Sequence, residues 1–159
     1  MIDDTDMRFL RRCVELAKTA LEAGDEPFGS VLVSSSGEVL MEDHNHVAGG
    51  DHTQHPEFAL ARWAAQNMTI EERERATVYT SGEHCPMCAA AHGWAGLGRI
   101  VYASSSKQLA RWLDELGVAP SRVRNLSIGE VIRDAVVEGP VPELAEEVRQ
   151  LHLRLHGKN

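Results

Sequence analysis

The chain has 159 residues, 43% hydrophobic and 25% charged, an ordinary globular balance with enough length for a sizeable apolar core. Its net charge of -8 argues against a protein that grips nucleic acid, which needs a basic patch for the phosphates. The acidic start MIDDTDMRF lacks the basic and then apolar order of a secretory signal, and no window nears the roughly 18 apolar residues of a membrane span. A soluble, cytoplasmic protein with a single domain over residues 1–159 is expected.

Met7, Leu10, Val14, Ala17 and Leu21 recur at spacings of three and four, which predicts a helix over about 6–22 that Gly24 ends. Val31-Leu32-Val33 and Val39-Leu40-Met41 flank Ser35-Ser36-Gly37 and read as a hairpin. A loop rich in His, Gly and Asp covers 45–54. The next helix opens near His55, with Pro56 where its missing N–H costs nothing, and runs to about Asn67. Residues 76–80 predict a strand, 88–96 a helix, 99–103 a strand and 108–116 a helix. Residues 118–130 are ambiguous, 131–137 read as the last strand, and an amphipathic helix carrying Leu144, Val148, Leu151 and Leu155 closes the chain. This order implies an α/β fold, a three-layer α/β/α sandwich around a mixed sheet of about five strands.

Only three cysteines occur, and two of them lie together in the stretch TSGEHCPMC, residues 80–88. The third, Cys13, falls on a predicted helix and reads as a small buried hydrophobe. Cys85 and Cys88 allow a redox dithiol, half of a structural zinc site, or part of a catalytic one. A redox pair leaves His55 and Glu57 unexplained. A zinc-stabilised interaction domain needs a fourth protein ligand. His55 with the two cysteines supplies three ligands and leaves one tetrahedral position open to water, and Glu57, two residues on, can reach that water without ligating the metal.

The pattern His-x-Glu followed by Cys-x-x-Cys, each opening a helix, resembles the zinc-dependent cytidine deaminase superfamily. The resemblance extends over Glu26-Pro27-Phe28-Gly29-Ser30-Val31, His44-Asn45-His46, His55-Pro56-Glu57 and residues 80–93. It implies one zinc per chain on His55, Cys85 and Cys88, with Glu57 as proton shuttle. It also implies that Asn45 bonds the base, with an amide that can both donate to and accept from the ring edge, and that Phe28 forms part of the pocket wall. Two positions depart from the family's habit: Pro56 stands where alanine is common, and His84 where proline is. His84 could touch substrate, bond a thiolate, or do neither. The remaining histidines, 44, 46, 52, 92, 152 and 156, read as surface or supporting residues rather than ligands.

The implied reaction is hydrolytic deamination of an aminated ring, releasing ammonia, with no organic cofactor. Cys-Pro-Met-Cys-Ala-Ala-Ala is similar to both tRNA adenosine deaminases and bacterial guanine deaminases. Trp94, Phe28 in Pro-Phe-Gly and the acidic composition favour the guanine-deaminase branch, with Trp94 and Phe28 as an aromatic, apolar wall of the substrate pocket; in that branch a glutamate at the position of Glu83 relays protons. The same Glu83 reads equally well as a loop carboxylate braced against a backbone amide. The expected substrate is therefore guanine or a related purine or aminotriazine as the free base, with cytosine or a nucleoside as the alternative. The alanine- and glycine-rich run 89–94 allows close helix approach, so a homodimer is expected.

Overall fold

The structure, a computed structural model, describes residues 1–157. Five strands form one mixed sheet: β1 (Gly29–Val33), β2 (Val39–His44), β3 (Thr77–Gly82), β4 (Arg99–Ser104) and β5 (Val137–Glu138), in the order β2-β1-β3-β4-β5. β1 is antiparallel to both β2 and β3, whereas β3, β4 and β5 run parallel.

Alternation along the strands sorts the core into two faces. Val31, Val33, Tyr79, Val101 and Ala103 point to the side covered by α1 (Asp4–Glu22), α5 (Ser106–Glu115) and α7 (Pro142–Leu155). Leu32 and Val78 point the other way, toward Leu60 and Ala64 of α2 (Pro56–Asn67), while Ile100 meets Ala89 of α4 (Pro86–Ala95). The three-layer sandwich expected from the element order is present. No helix among the described residues is long and apolar enough to cross a membrane.

Two elements differ from expectation. Residues 131–137 are not a continuous strand: α6 (Ile128–Val131) takes the first of them and only Val137–Glu138 pair with β4. The cause is a capping box, in which the Glu130 carboxylate accepts from the Ser127 backbone N–H and starts a helix there. The unforeseen α3 (Ile70–Arg75) buries none of its residues, so it carries no apolar stripe to read. Thr69 and Glu72 cap it reciprocally, and its Arg73 donates to the carbonyls of Ala64, Ala65 and Met68, which closes the end of α2.

A buried ion pair ties the helical layer to the sheet. Asp6 of α1 accepts from the Tyr79 hydroxyl at 2.6 Å and from both terminal nitrogens of Arg99 at 2.9 Å, and Arg99 also donates to Glu138 of β5. Gly29 lets β1 sit directly on α1: a Cβ there would lie 2.5 Å from the Cys13 carbonyl oxygen. That close approach fixes where the next residue, Ser30, enters the site.

Candidate active site

His55 is the N-cap of α2 and Cys85 the N-cap of α4, each followed by a proline at the first helical position. Proline fits there because that amide has no intrahelical partner. Two helix starts are thus aimed at one point, with Cys88 a turn further along α4. The Cys85 and Cys88 sulfurs lie 3.5 Å apart, and His55 Nδ1 lies 3.5 Å from the first and 3.6 Å from the second. Tetrahedral zinc, with bonds of about 2.3 Å to sulfur and 2.0–2.1 Å to nitrogen, calls for edges of roughly 3.8 and 3.6 Å. The triangle fits that ion closely.

The electrostatics agree with the geometry. The Cys85 thiol is lowered to about 4, first by the hydrogen bond from Cys88, against the opposing effect of burial, and then by His55. The Cys88 proton is held up by the neighbouring Cys85 thiolate and by burial. The pair alone therefore carries one negative charge, and a dication removes the reason to retain the second proton.

Glu57 lies in the first turn of α2 and is buried. Loss of hydration raises its carboxyl to about 7, the Cys85 charge adds to this, and His55 opposes it. Its Oε1 lies 3.0 Å from Ser30 Oγ, which in turn lies 2.9 Å from Thr80 Oγ1, and Thr80 donates to the Gly82 carbonyl. Ser30 has a single proton to give. With Glu57 ionised that proton goes to the carboxylate; with Glu57 protonated the chain runs Glu57 to Ser30 to Thr80 to Gly82. Either state leaves Glu57 held. Ser30 lies within the Glu26–Val31 stretch, where the sequence assigns it no role. Its only local signal is a polar residue beside the glycine of Pro-Phe-Gly at the head of an otherwise apolar strand.

Asn45 is buried at the end of β2, its backbone N–H on the Phe28 carbonyl. Its Oδ1 accepts from the N–H groups of Glu26 and Val47. The side-chain oxygen is thereby occupied and Nδ2 is left to donate, which corrects the expectation that this amide both donates and accepts. Phe28 is half-buried, with its ring edge-on to His152 of α7 at 5.2 Å and facing Gly82. That places α7 behind the expected pocket wall.

Other expectations need correction. Trp94 is 91% exposed on α4, so within one chain it forms no wall of the site. Glu83 accepts from the Ser106 N–H and hydroxyl through Oε1 and from the Ile128 N–H through Oε2, so both oxygens brace the starts of α5 and α6. These contacts are those of the bracing reading. His84 is fully buried, with neither ring nitrogen hydrogen-bonded, and stands edge-on to His92 at 5.4 Å. It meets neither a thiolate nor open space for a substrate. His92 and His152 are likewise buried rather than on the surface, and burial keeps both neutral.

Comparisons with known proteins place this geometry among deaminases. Residues 3–104 match the family described as the cytidine and deoxycytidylate deaminase zinc-binding region. A probable cytosine deaminase of Schizosaccharomyces pombe is 31% identical over 119 residues, 75% of this chain and 72% of that one. The guanine deaminase of Bacillus subtilis is 36% identical over 104 residues, 64% of this chain and 66% of that one. A tRNA-specific adenosine deaminase of Haemophilus influenzae is 32% identical over 63% of this chain and 58% of that one. In fold, a guanine deaminase of Nitrosomonas europaea superposes with a TM-score of 0.70, covering 99% of this chain and 86% of that one at 17% identity.

Proposed function

The chain belongs to the cytidine and deoxycytidylate deaminase family, and from that premise we propose that it is a zinc-dependent hydrolase that deaminates a free nucleobase of guanine type. The observation that carries the reading is the triangle of His55, Cys85 and Cys88 beside buried Glu57.

One zinc per chain would be held by those three side chains and would supply a Lewis acid that eases the ionisation of water. Glu57 takes the proton of the attacking water. It passes that proton to the ring nitrogen beside the amine-bearing carbon as the C–O bond forms. It then takes the second proton, from the hydroxyl now on that carbon, and delivers it to the amine, so the C–N bond breaks, the C=O bond forms, and the oxo base and ammonia result. A carboxyl that ionises near neutrality is suited to both halves of that task. Ser30 keeps the carboxylate aimed. Asn45 Nδ2 reads an acceptor on the ring edge, and Phe28 covers an apolar face.

The choice of base rests on Phe28 in Pro-Phe-Gly, on the similarity to the Bacillus guanine deaminase, and on a net charge of -8 that opposes an RNA substrate. A cytosine-type substrate is the second reading, favoured by the relation to the Schizosaccharomyces protein. We further propose a homodimer through α2 and α4, because the exposed Trp94 adjoins the small residues Ala90, Ala91 and Gly93.

The test is ammonia release from guanine, 2,6-diaminopurine, aminotriazines, cytosine, cytidine and a tRNA anticodon stem, with zinc content measured in parallel. Guanine turnover supports the reading. Turnover of cytosine or tRNA alone removes the guanine assignment and keeps the reaction class.

A further inference from the structure

We propose that Asp25, His44 and His46 form a second divalent-metal site, separate from the His55, Cys85 and Cys88 set. One donor atom from each of these three residues lies within 4.8 Å of the other two. They come from different pieces of chain: Asp25 from the turn between α1 and β1, His44 from the end of β2, and His46 from the loop beyond it.

The case rests on what holds each donor from behind. His44 Nδ1 lies 2.9 Å from the Asn45 carbonyl oxygen. A carbonyl only accepts, so Nδ1 carries the proton and the Nε2 lone pair is free. His46 Nε2 lies 3.0 Å from Oδ1 of Asp43, so its proton is on Nε2 and the Nδ1 lone pair is free. That carboxylate is itself fixed by the His44 backbone N–H at 2.9 Å. Asp25 is buried, and its Oδ1 accepts from the Ala48 N–H at 2.9 Å, which orients the other oxygen. A histidine whose second nitrogen is held by a backbone carbonyl or a carboxylate is the usual support of a metal ligand, since it fixes the tautomer and strengthens the donor.

The two imidazole rings sit 4.3 Å apart, 33° from parallel. Donors around an ion at about 2.0–2.2 Å stand roughly 3–3.6 Å from one another, so closing on one draws donors that lie within 4.8 Å together by up to about 1–2 Å. His46, half exposed, leaves a way in from solvent. Two imidazoles and one carboxylate suit zinc, nickel, cobalt or ferrous iron rather than magnesium or calcium. An ion there would join the Asp25 turn to the segment that presents Asn45. The His46 backbone N–H already bonds the Gln54 carbonyl next to His55, so the joined segment reaches the first site.

The test is equilibrium dialysis of the zinc-loaded protein against Zn²⁺ with metal analysis. Wild type should bind two equivalents, and the double variant His44→Ala/His46→Ala one. Asp25→Asn should weaken the second equivalent tenfold or more, while His52→Ala and His156→Ala keep two. Cys85→Ala/Cys88→Ala should lose the first equivalent and keep the second, which separates this site from the deaminase reading. Long-range ¹H–¹⁵N spectra of the wild type should show His44 Nε2 and His46 Nδ1 shifting as the second equivalent binds, a readout that needs no variant to fold. One equivalent in the wild type, undisturbed His44 and His46 signals, or an unchanged second affinity in the double variant would each overturn the proposal.

Discussion

Ser30 Oγ stands 3.0 Å from Oε1 of Glu57, joining a buried strand residue to the carboxylate at the head of α2. Ser30→Ala removes that donor without altering any proposed zinc ligand. A hydrogen bond to a charged group contributes about 1.5–3 kcal/mol, so kcat should fall roughly 10- to 100-fold with zinc content unchanged. Steady-state kinetics and metal analysis of the same preparation check both halves.

The Asp6–Arg99 pair predicts an acid-sensitive stability. The Arg99 guanidinium is the main influence holding the Asp6 carboxyl well below the usual carboxylate range, with Tyr79 adding to it. A carboxyl depressed in the folded state stabilises above its unfolded pKa, near 4, and loses that contribution as pH falls below it. Asp6→Asn should cost about 2–3 kcal/mol at pH 7, toward the low side for a buried pair because Arg99 is partly exposed. Urea titrations at pH 7 and pH 3 should show the gap between wild type and variant narrowing at the lower pH.

Glu83 separates bracing from chemistry. With both oxygens on backbone amides, Glu83→Ala leaves two helix starts short of a partner and should cost about 1–3 kcal/mol of stability. The folded fraction should keep kcat within severalfold of wild type. A fall of a hundredfold or more in a well-folded variant would restore the relay.

Trp94, at 91% exposure, is a large aromatic side chain on α4 open to burial by a second copy. Trp94→Asp should shift sedimentation at micromolar concentration from dimer to monomer while leaving zinc bound. A wild type that sediments as a monomer removes the dimer.

How much of this was legible in the sequence follows from how local each signal is. His55-Pro56-Glu57 and Cys85-Pro86-Met87-Cys88 each fix ligand directions at their own helix start, and the resemblance to the deaminase pattern implied that the two starts meet. The sandwich was legible because β1 to β4 and most helices carry their own apolar pattern, whereas the two-residue β5 is too short to show one. Ser30 was not, because its partner is 27 residues away and reached only through sheet packing. The contacts of Glu83 and the outward direction of Trp94 were not legible, because a motif gives position along a chain and not the direction a side chain takes. The capping boxes at Thr69 and Ser127 were readable but opened helices too short to show a period.

The account stands most directly on Glu57. We measure ammonia release by Glu57→Gln against wild type, on guanine or whichever base the screen identifies, with both proteins at matched zinc content. The glutamine keeps the shape and can accept from Ser30, but it cannot carry a proton between water and ring. The account predicts a fall in kcat of about 10²-fold or more with zinc retained. Turnover near the wild-type rate in the zinc-loaded variant contradicts it.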